Sequence, residues 1–350
     1  MDRDFLKRKM VSSPFKRWYY HYVYWCIFKR DRGAIKVMIK TIPKSERPSM
    51  LLMWWIVVMR LWLPEEYFSY HYELLSRKGK KQYVLNWEKE VFASAVNKKC
   101  VHDLLDDKYG SFLFFKVFYK REMVQVDFEK QDMDMIMSFL SRHPKAIVKQ
   151  NTSGGGHGIQ IIDIKNFDGI EALLEQLKKR YKSKKIIIEE LINQDVRMAC
   201  FHPQSVNTLR MPAIRLGDEI LLWHPGMRIG RGQSIVDNGG SGGILAAIDI
   251  DTGLIKAAAT EDGTDYCVHP DSNIPIIGYK IPLWNEAQSF TKELMNALPE
   301  GVYVSWDLAL SDKGWVMVEG NSRGQLFGRQ LPIHRGIRKE FNEIKYKLKV

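Results

Sequence analysis

Two runs of β-forming residues, Val302–Leu310 and Trp315–Asn321, flank Ser311-Asp312-Lys313-Gly314 and commit this part of the chain to a β-hairpin, hence to an antiparallel sheet. A three-residue loop with Gly314 in the left-handed region pairs Ser311 with Trp315 and sets Asp307 across from Glu319. Side chains two apart share a face, so Asn321 joins the two acids, while Trp306, Leu308, Val316 and Val318 point the other way into a core. Two carboxylates and an amide on one face are the oxygen ligands that Mg²⁺ takes when phosphates and water complete its shell; a solvated hairpin face has the same pattern.

Upstream the chain changes character near Gly110. Residues 1–95 read as helical, with the aromatic run Phe15–Phe28, the apolar run Met50–Leu63 and a helix opening at Pro64. Trp87–Tyr109 reads as one or two helices ended by Gly110. Beyond it, strands are expected at Phe112–Tyr119, Ala146–Lys149, Ile159–Ile164, Lys185–Ile192, Thr208–Leu216, Glu219–Pro225 and Gly243–Ile250. Helices are expected at Asp132–Arg142, Phe167–Tyr181 and Asn285–Leu298. The mixture is α+β rather than a doubly wound parallel fold. At 350 residues and 45% hydrophobic content, two or three subdomains with a large core are expected.

Charge narrows the function classes. Residues 1–50 hold 13 Lys and Arg against 4 Asp and Glu, which is +9 of the net +12, so the rest of the chain is not a basic nucleic-acid surface. Lys and Arg interleaved with Trp and Tyr also suit a peripheral contact with an anionic membrane; packing of the same aromatics on the core is the plainer reading. Met50–Leu63 is interrupted by Arg60 and stopped by Pro64, short of a membrane span, and no cleavable signal peptide is expected. Cys26, Cys100, Cys200 and Cys267 lie far apart and read as reduced, mostly buried thiols of a cytoplasmic protein.

Lys149 ends a strand and is followed by Ser153-Gly154-Gly155-Gly156-His157-Gly158. Glycines let backbone N–H groups converge on an anion. The lysine precedes the glycines and a strand follows them, which excludes a Walker loop and a dinucleotide fingerprint. A phosphate lid fits, as does an ordinary glycine loop. Ile186–Ile192 carries Glu189 and Glu190 at the end of a buried strand whose backbone suits an adenine edge, or is simply a core strand. Arg210, Arg228 and Arg231 supply forks for phosphate or carboxylate, or lie solvated on the surface.

In that order, the glycine loop after a Lys-bearing strand, the Glu-Glu strand, Asn207-Thr208-Leu209-Arg210 and Asp307…Glu319-Gly320-Asn321 resemble the ATP-grasp superfamily, most closely its sugar-transfer-associated branch found with polysaccharide biosynthesis. The resemblance covers about Asn97–Arg329, and more loosely the segment from Pro64. It implies an ATP-grasp fold of two α+β subdomains behind a helical N-terminal region: 1–95 helical and basic, 96–195 the lid subdomain, 196–350 the large subdomain with the metal site. It implies ATP and Mg²⁺ as cofactors, two ions, with Mn²⁺ able to substitute. Lys149 and either Lys98, the preferred one, or Lys99 would meet the phosphates, Ser153, Gly154, Gly155, Gly156 and Gly158 the lid, and Glu189, Glu190, Leu191 and Ile192 the adenine side. Asp195 is a weak substitute for the usual ribose acid. Asp307, Glu319 and Asn321 would hold the metal, Arg210 the transferred phosphoryl group and Arg228 an acceptor carboxylate. The implied activity is a carboxylate–amine ligase acting through an acylphosphate on a small or glycan acid; the alternatives are a kinase, or an accessory protein at the inner face of the cytoplasmic membrane.

Overall fold

The computed structural model describes residues 15–350 apart from 41, 43, 46, 131–132, 153–157, 182–184 and 238. It is α+β, with two sheets in which all the recorded strand pairs are antiparallel. The smaller sheet has the order β1 (Met123–Asp127), β4 (Lys185–Glu190), β2 (Lys145–Gln150), β3 (Gln160–Asp163). The larger runs β11 (Gly314–Asn321), β10 (Tyr303–Ser311), β5 (Thr208–Leu216), β7 (Gly226–Ile229), β8 (Ile244–Ile248), β9 (Ile255–Thr260), with β6 (Glu219–Leu222) on β5.

Helices Met133–Arg142 and Ile170–Tyr181 bury Ile136, Phe139, Leu140, Leu173, Leu174 and Leu177 on the small sheet. Helix Trp284–Ala297 covers the large one with Trp284, Leu294 and Met295. The stretch Phe112–Tyr119, expected as a strand, is instead helical over Lys108–Phe114 and Lys116–Tyr119. Its buried residues Phe112, Phe115 and Tyr119 recur at three and four, the helical period, and pack with Trp306 and Leu308. Gly110 does not end a helix here. It sits inside one, where the Asp107 side chain caps its N–H at 3.1 Å and a Cβ would come within 2.8 Å of that carboxylate.

The N-terminal aromatic run divides by face. On the helix Phe15–Ile39, Tyr20, Tyr24, Phe28 and Ile35 are buried against Met53, Ile56 and Val57 of the next helix (Met50–Trp54, continued by a π-helical turn Trp55–Met59) and against Leu245 and Ala259 of the large sheet. Trp18, Tyr22 and Trp25 face outward. Packing on the core therefore accounts for one face only. No helix among the described residues is long and apolar enough to cross a membrane. All four cysteines are free thiols, but Cys26, Cys100 and Cys267 are exposed, contrary to the expectation of burial.

The hairpin keeps its expected facing pair by a different route. Ser311 pairs with Gly314 and Leu310 with Trp315, one place tighter than a three-residue loop would give. A bulge then inserts Val318, so Asp307 still faces Glu319 and Ser305 faces Asn321. Gly314 has φ +79, as the turn requires. Trp306 and Leu308 are core residues, whereas Val318 turns to the cavity beside Glu319.

Candidate functional site

Antiparallel register builds one charged face on the large sheet. Glu319 faces Asp307, Asp307 faces Arg210, and Thr208 faces Arg228 two residues along. Period-two alternation puts Asn321 on the same side. Asp307 is fully buried beneath the two arginines: Arg210 Nε lies 2.5 Å from Oδ1, and Arg228 Nη2 2.9 Å from Oδ2. Arg228 also donates to the Thr208 hydroxyl at 2.9 and 3.0 Å, and its Nε is 3.6 Å from Asp237. Asn321 Nδ2 reaches Asp307 at 3.3 Å and Glu319 at 3.4 Å.

The two acids titrate as a pair and part in opposite directions. Burial pushes Asp307 up; Arg210 and Arg228 pull it back, Glu319 beside it pushes again, and the net is about 6. Burial also raises Glu319, but Lys108, Lys149 and Arg228 outweigh it and hold the carboxyl down at about 2. The chemistry of two adjacent carboxylates and an amide fits a hard divalent cation; Glu319 and Asn321 face the cavity, while both Asp307 oxygens are held by Arg210 and Arg228.

The small sheet brings a second charged cluster to the opposite wall. On one face of β2 and β4, Ile147 pairs with Glu189 and Lys149 with Ile187, so Lys149 sits diagonal to Glu189. Lys149 Nζ is 2.6 Å from Glu189 Oε1, and Arg121 Nη2 is 3.0 Å from Oε2. Burial pushes Glu189 up, yet Lys149 and Arg121 overcome it and hold it below the usual carboxylate range. Glu189 is therefore neutralised by the chain itself, whereas Glu190 is partly exposed and pairs with Lys313 at 3.0 Å. Beyond the last ladder pair, Ala146 with Glu190, the backbone at Leu191 and Ile192 leaves the sheet along the cavity.

Between the walls lies a cavity of about 1170 Å³. Lys149, Glu189, Glu190, Leu191, Ile192, Arg210, Arg228, Glu319 and Asn321 all line it. Ser153, Gly154, Gly155 and Gly156 lie outside the described residues; Gly158 has φ +75, and its carbonyl accepts the Tyr181 hydroxyl at 2.6 Å. Two expected residues do not join the site. Lys98 is exposed at the start of the helix Lys99–Asp106 and does not reach the cavity. Asp195 caps a one-turn helix and pairs with Arg197 at 2.8 Å, away from the cavity wall.

Lys108 takes the place expected of Lys98. It opens the helix Lys108–Phe114, lines the cavity, and lies in the field of Glu319, Lys149 and Glu189, with burial lowering its pKa. The three- and four-residue spacing of Phe112, Phe115 and Tyr119 was the available signal for that helix. Arg121 also lines the cavity, and nothing local in the sequence marks it.

A family model described as sugar-transfer associated ATP-grasp matches residues 88–346. Similar solved structures include an ADP complex of N5-carboxyaminoimidazole ribonucleotide synthetase, at 11% identity and TM-score 0.41, covering 65% of this chain and 47% of that one. D-Alanine-D-alanine ligase from Helicobacter pylori is 13% identical with TM-score 0.47, covering 76% of this chain and 70% of that one. VanG D-Ala:D-Ser ligase from Enterococcus faecalis is 11% identical with TM-score 0.47, covering 77% and 70%. The chain thus spans about half the length of the first of these. No curated protein matches.

Proposed function

Because the chain belongs to the sugar-transfer-associated ATP-grasp family, we propose that it is a Mg²⁺- and ATP-dependent carboxylate–amine ligase that amidates a sugar acid of a polysaccharide or its precursor. The observation that carries this reading is one cavity with Glu319 and Asn321 on one side, Asp307 buried behind them, and the Lys108–Lys149 pair on the other. In the reaction, a substrate carboxylate oxygen bonds to the γ-phosphorus of ATP and ADP leaves. An amine then attacks the acyl carbon of the acylphosphate, loses a proton and displaces phosphate.

Asp307, Glu319 and Asn321 would hold Mg²⁺, which when bound neutralises charge between the transferring and leaving phosphates. Lys108 and Lys149 bind the phosphates as point charges. Arg210, beside Asp307, stabilises the charge of the transferring group. Leu191 and Ile192 offer backbone to the base. Exclusion of water from the cavity would protect the acylphosphate from hydrolysis. A cytoplasmic setting follows from the ATP requirement.

Replacing Lys108 with Met should raise the KM for ATP by about tenfold or more, the worth of a charged hydrogen bond, while Lys98→Met leaves it unchanged; steady-state kinetics with varied ATP checks both. For the reaction class, Mg-ATP is supplied with a panel of uronic and other sugar acids, with and without amino acids. Phosphate release that needs both acid and amine supports ligation. A stable phosphorylated product formed without amine would identify a kinase instead.

A further inference from the structure

The corner of the cavity behind Gly226 holds a cation that the proposed phosphoryl chemistry does not use. Arg329, on the one-turn helix Phe327–Gln330, is 4% exposed and lines the cavity. Its Nη1 donates to the Trp223 carbonyl, and its guanidinium lies 5.2 Å from the Trp223 ring centroid. Nε and Nη2 are buried without a hydrogen-bond partner. The neighbouring Tyr303 hydroxyl gives its proton to the Gly324 carbonyl at 2.7 Å and turns its oxygen to the guanidinium, and no acid is ion-paired to Arg329 among the described residues. Beside it His224, with φ +51, turns a buried Nε2 that also has no partner. Burial, then Arg329, lowers the His224 pKa to about 4, so the ring is neutral at physiological pH.

Leaving two nitrogens of a buried cation without a hydrogen-bond partner costs stability, so this edge is built for something that arrives. The Nε–Nη2 edge of a guanidinium matches the two oxygens of a carboxylate side by side. One cation beside a neutral imidazole balances a monoanion better than a phosphate dianion. Arg228, from which the acceptor carboxylate contact was expected, is held by Asp307, Thr208 and Asp237.

Resting on the ligase reading, we propose that Arg329 and His224 form the recognition corner for a carboxylate that does not react, carried by an α-amino acid that serves as the amine substrate. The test uses the full chain saturated with Mg²⁺ and a non-hydrolysable ATP analogue. The twenty amino acids and their α-amides are titrated in, followed by tryptophan fluorescence, since Trp223 underlies Arg329. At least one amino acid is expected to bind, with its amide at least about tenfold weaker. Arg329→Met should abolish that difference, Arg329→Lys should retain part of it, and nucleotide affinity should hold in both. Arg329→Met should also keep or raise Tm, which a purely structural arginine would not do. Equal binding of acid and amide, no amino-acid binding at all, or unchanged discrimination in Arg329→Met would overturn the proposal. Loss of nucleotide binding in the unmodified protein would instead overturn the ligase reading.

A separate observation concerns the outer face of the first helix. Trp18, Tyr22, Trp25, Lys29, Arg32 and Lys36 recur at four, three, four, three and four residues and are all exposed. This is one stripe, aromatic at its N-terminal end and cationic at the other. Trp18 is 72% exposed, and Lys29 Nζ sits 4.4 Å from the Trp25 ring centroid. On the adjoining helix Leu51, Trp55 and Met59 are exposed in the same rhythm, with Arg60 at 5.3 Å from the Trp55 ring. We infer that this face lies on an anionic lipid surface, aromatics at the headgroup level and cations on the phosphates. The first helix also brings Ile27 and Arg30 to the rim of the cavity.

Co-sedimentation of the full chain should succeed with vesicles of phosphatidylglycerol and phosphatidylcholine and fail with phosphatidylcholine alone. The triple change Trp18, Tyr22 and Trp25 to Ser should reduce binding at least about tenfold, and Lys29, Arg32 and Lys36 to Gln by about a hundredfold. Equal binding by the variants contradicts the inference, as does a dimer in solution that the aromatic changes dissociate.

Discussion

Glu319→Ala is expected to lower Mg-ATP-dependent turnover by about 10³-fold or more, with little change in Tm. Glu319 is the only acid facing Asp307 across the hairpin, and its charge lies in the field of both Lys108 and Lys149. Without it, the cavity loses the carboxylate that faces Lys108 and Lys149, and Asp307 remains buried and held by Arg210 and Arg228. The fold should survive, because the bulge at Val318 and the burial of Trp306, Leu308 and Met317 do not depend on the carboxylate. Turnover measured beside circular dichroism separates the two effects. Activity within tenfold of the unmodified protein would remove Glu319 from the metal site.

The adjacent glutamates of β4 should behave very differently from each other. Glu189→Ala leaves Arg121 and Lys149 buried without their anion, and is expected to cost about 3–5 kcal/mol. Glu190→Ala removes a partly exposed contact with Lys313 and should cost no more than about 1 kcal/mol. Urea denaturation of the two variants makes the comparison. Because the Glu189 pKa is depressed in the folded state, its contribution is whole above the ordinary carboxylate value and is lost as pH falls through the folded one. The gap between the variants should therefore narrow in acid. Equal losses at neutral pH would mean that Glu189 is not the anchor of that wall.

What could be read from the sequence was local. The hairpin was legible because its turn residues and β-formers are contiguous, and because Asp307, Glu319 and Asn321 fall on one face at period two. Its register was right at the site for a compensating reason, since a tighter turn and an inserted Val318 offset one another. The error at Phe112–Tyr119 came from reading aromatic content as strand propensity, although the spacing was helical. Lys108 was missed for another reason: it falls at the end of the stretch read as helix, Trp87–Tyr109, where nothing local sets it apart from Lys98. The short strands Gly226–Ile229 and Ile255–Thr260 went unread between glycines and alanines, since pairing with their neighbours defines them more than composition does.

Arg121 and Arg329 were not legible, for a different reason. Their partners, Glu189 and the Trp223 carbonyl, lie 68 and 106 residues away. Only the closing of the two sheets and the C-terminal turn brings them together. The aromatic N-terminus offered two readings, packing or surface contact, and the helix divides them between its faces.

Calorimetric titration of the full chain with ATP, with Mg²⁺ and then with EDTA, tests the central claim most directly. One nucleotide should bind per chain in the presence of Mg²⁺, weakened at least about tenfold by EDTA and by Lys149→Met. No binding, or binding indifferent to both the metal and Lys149, would contradict the assignment of this cavity to Mg-ATP.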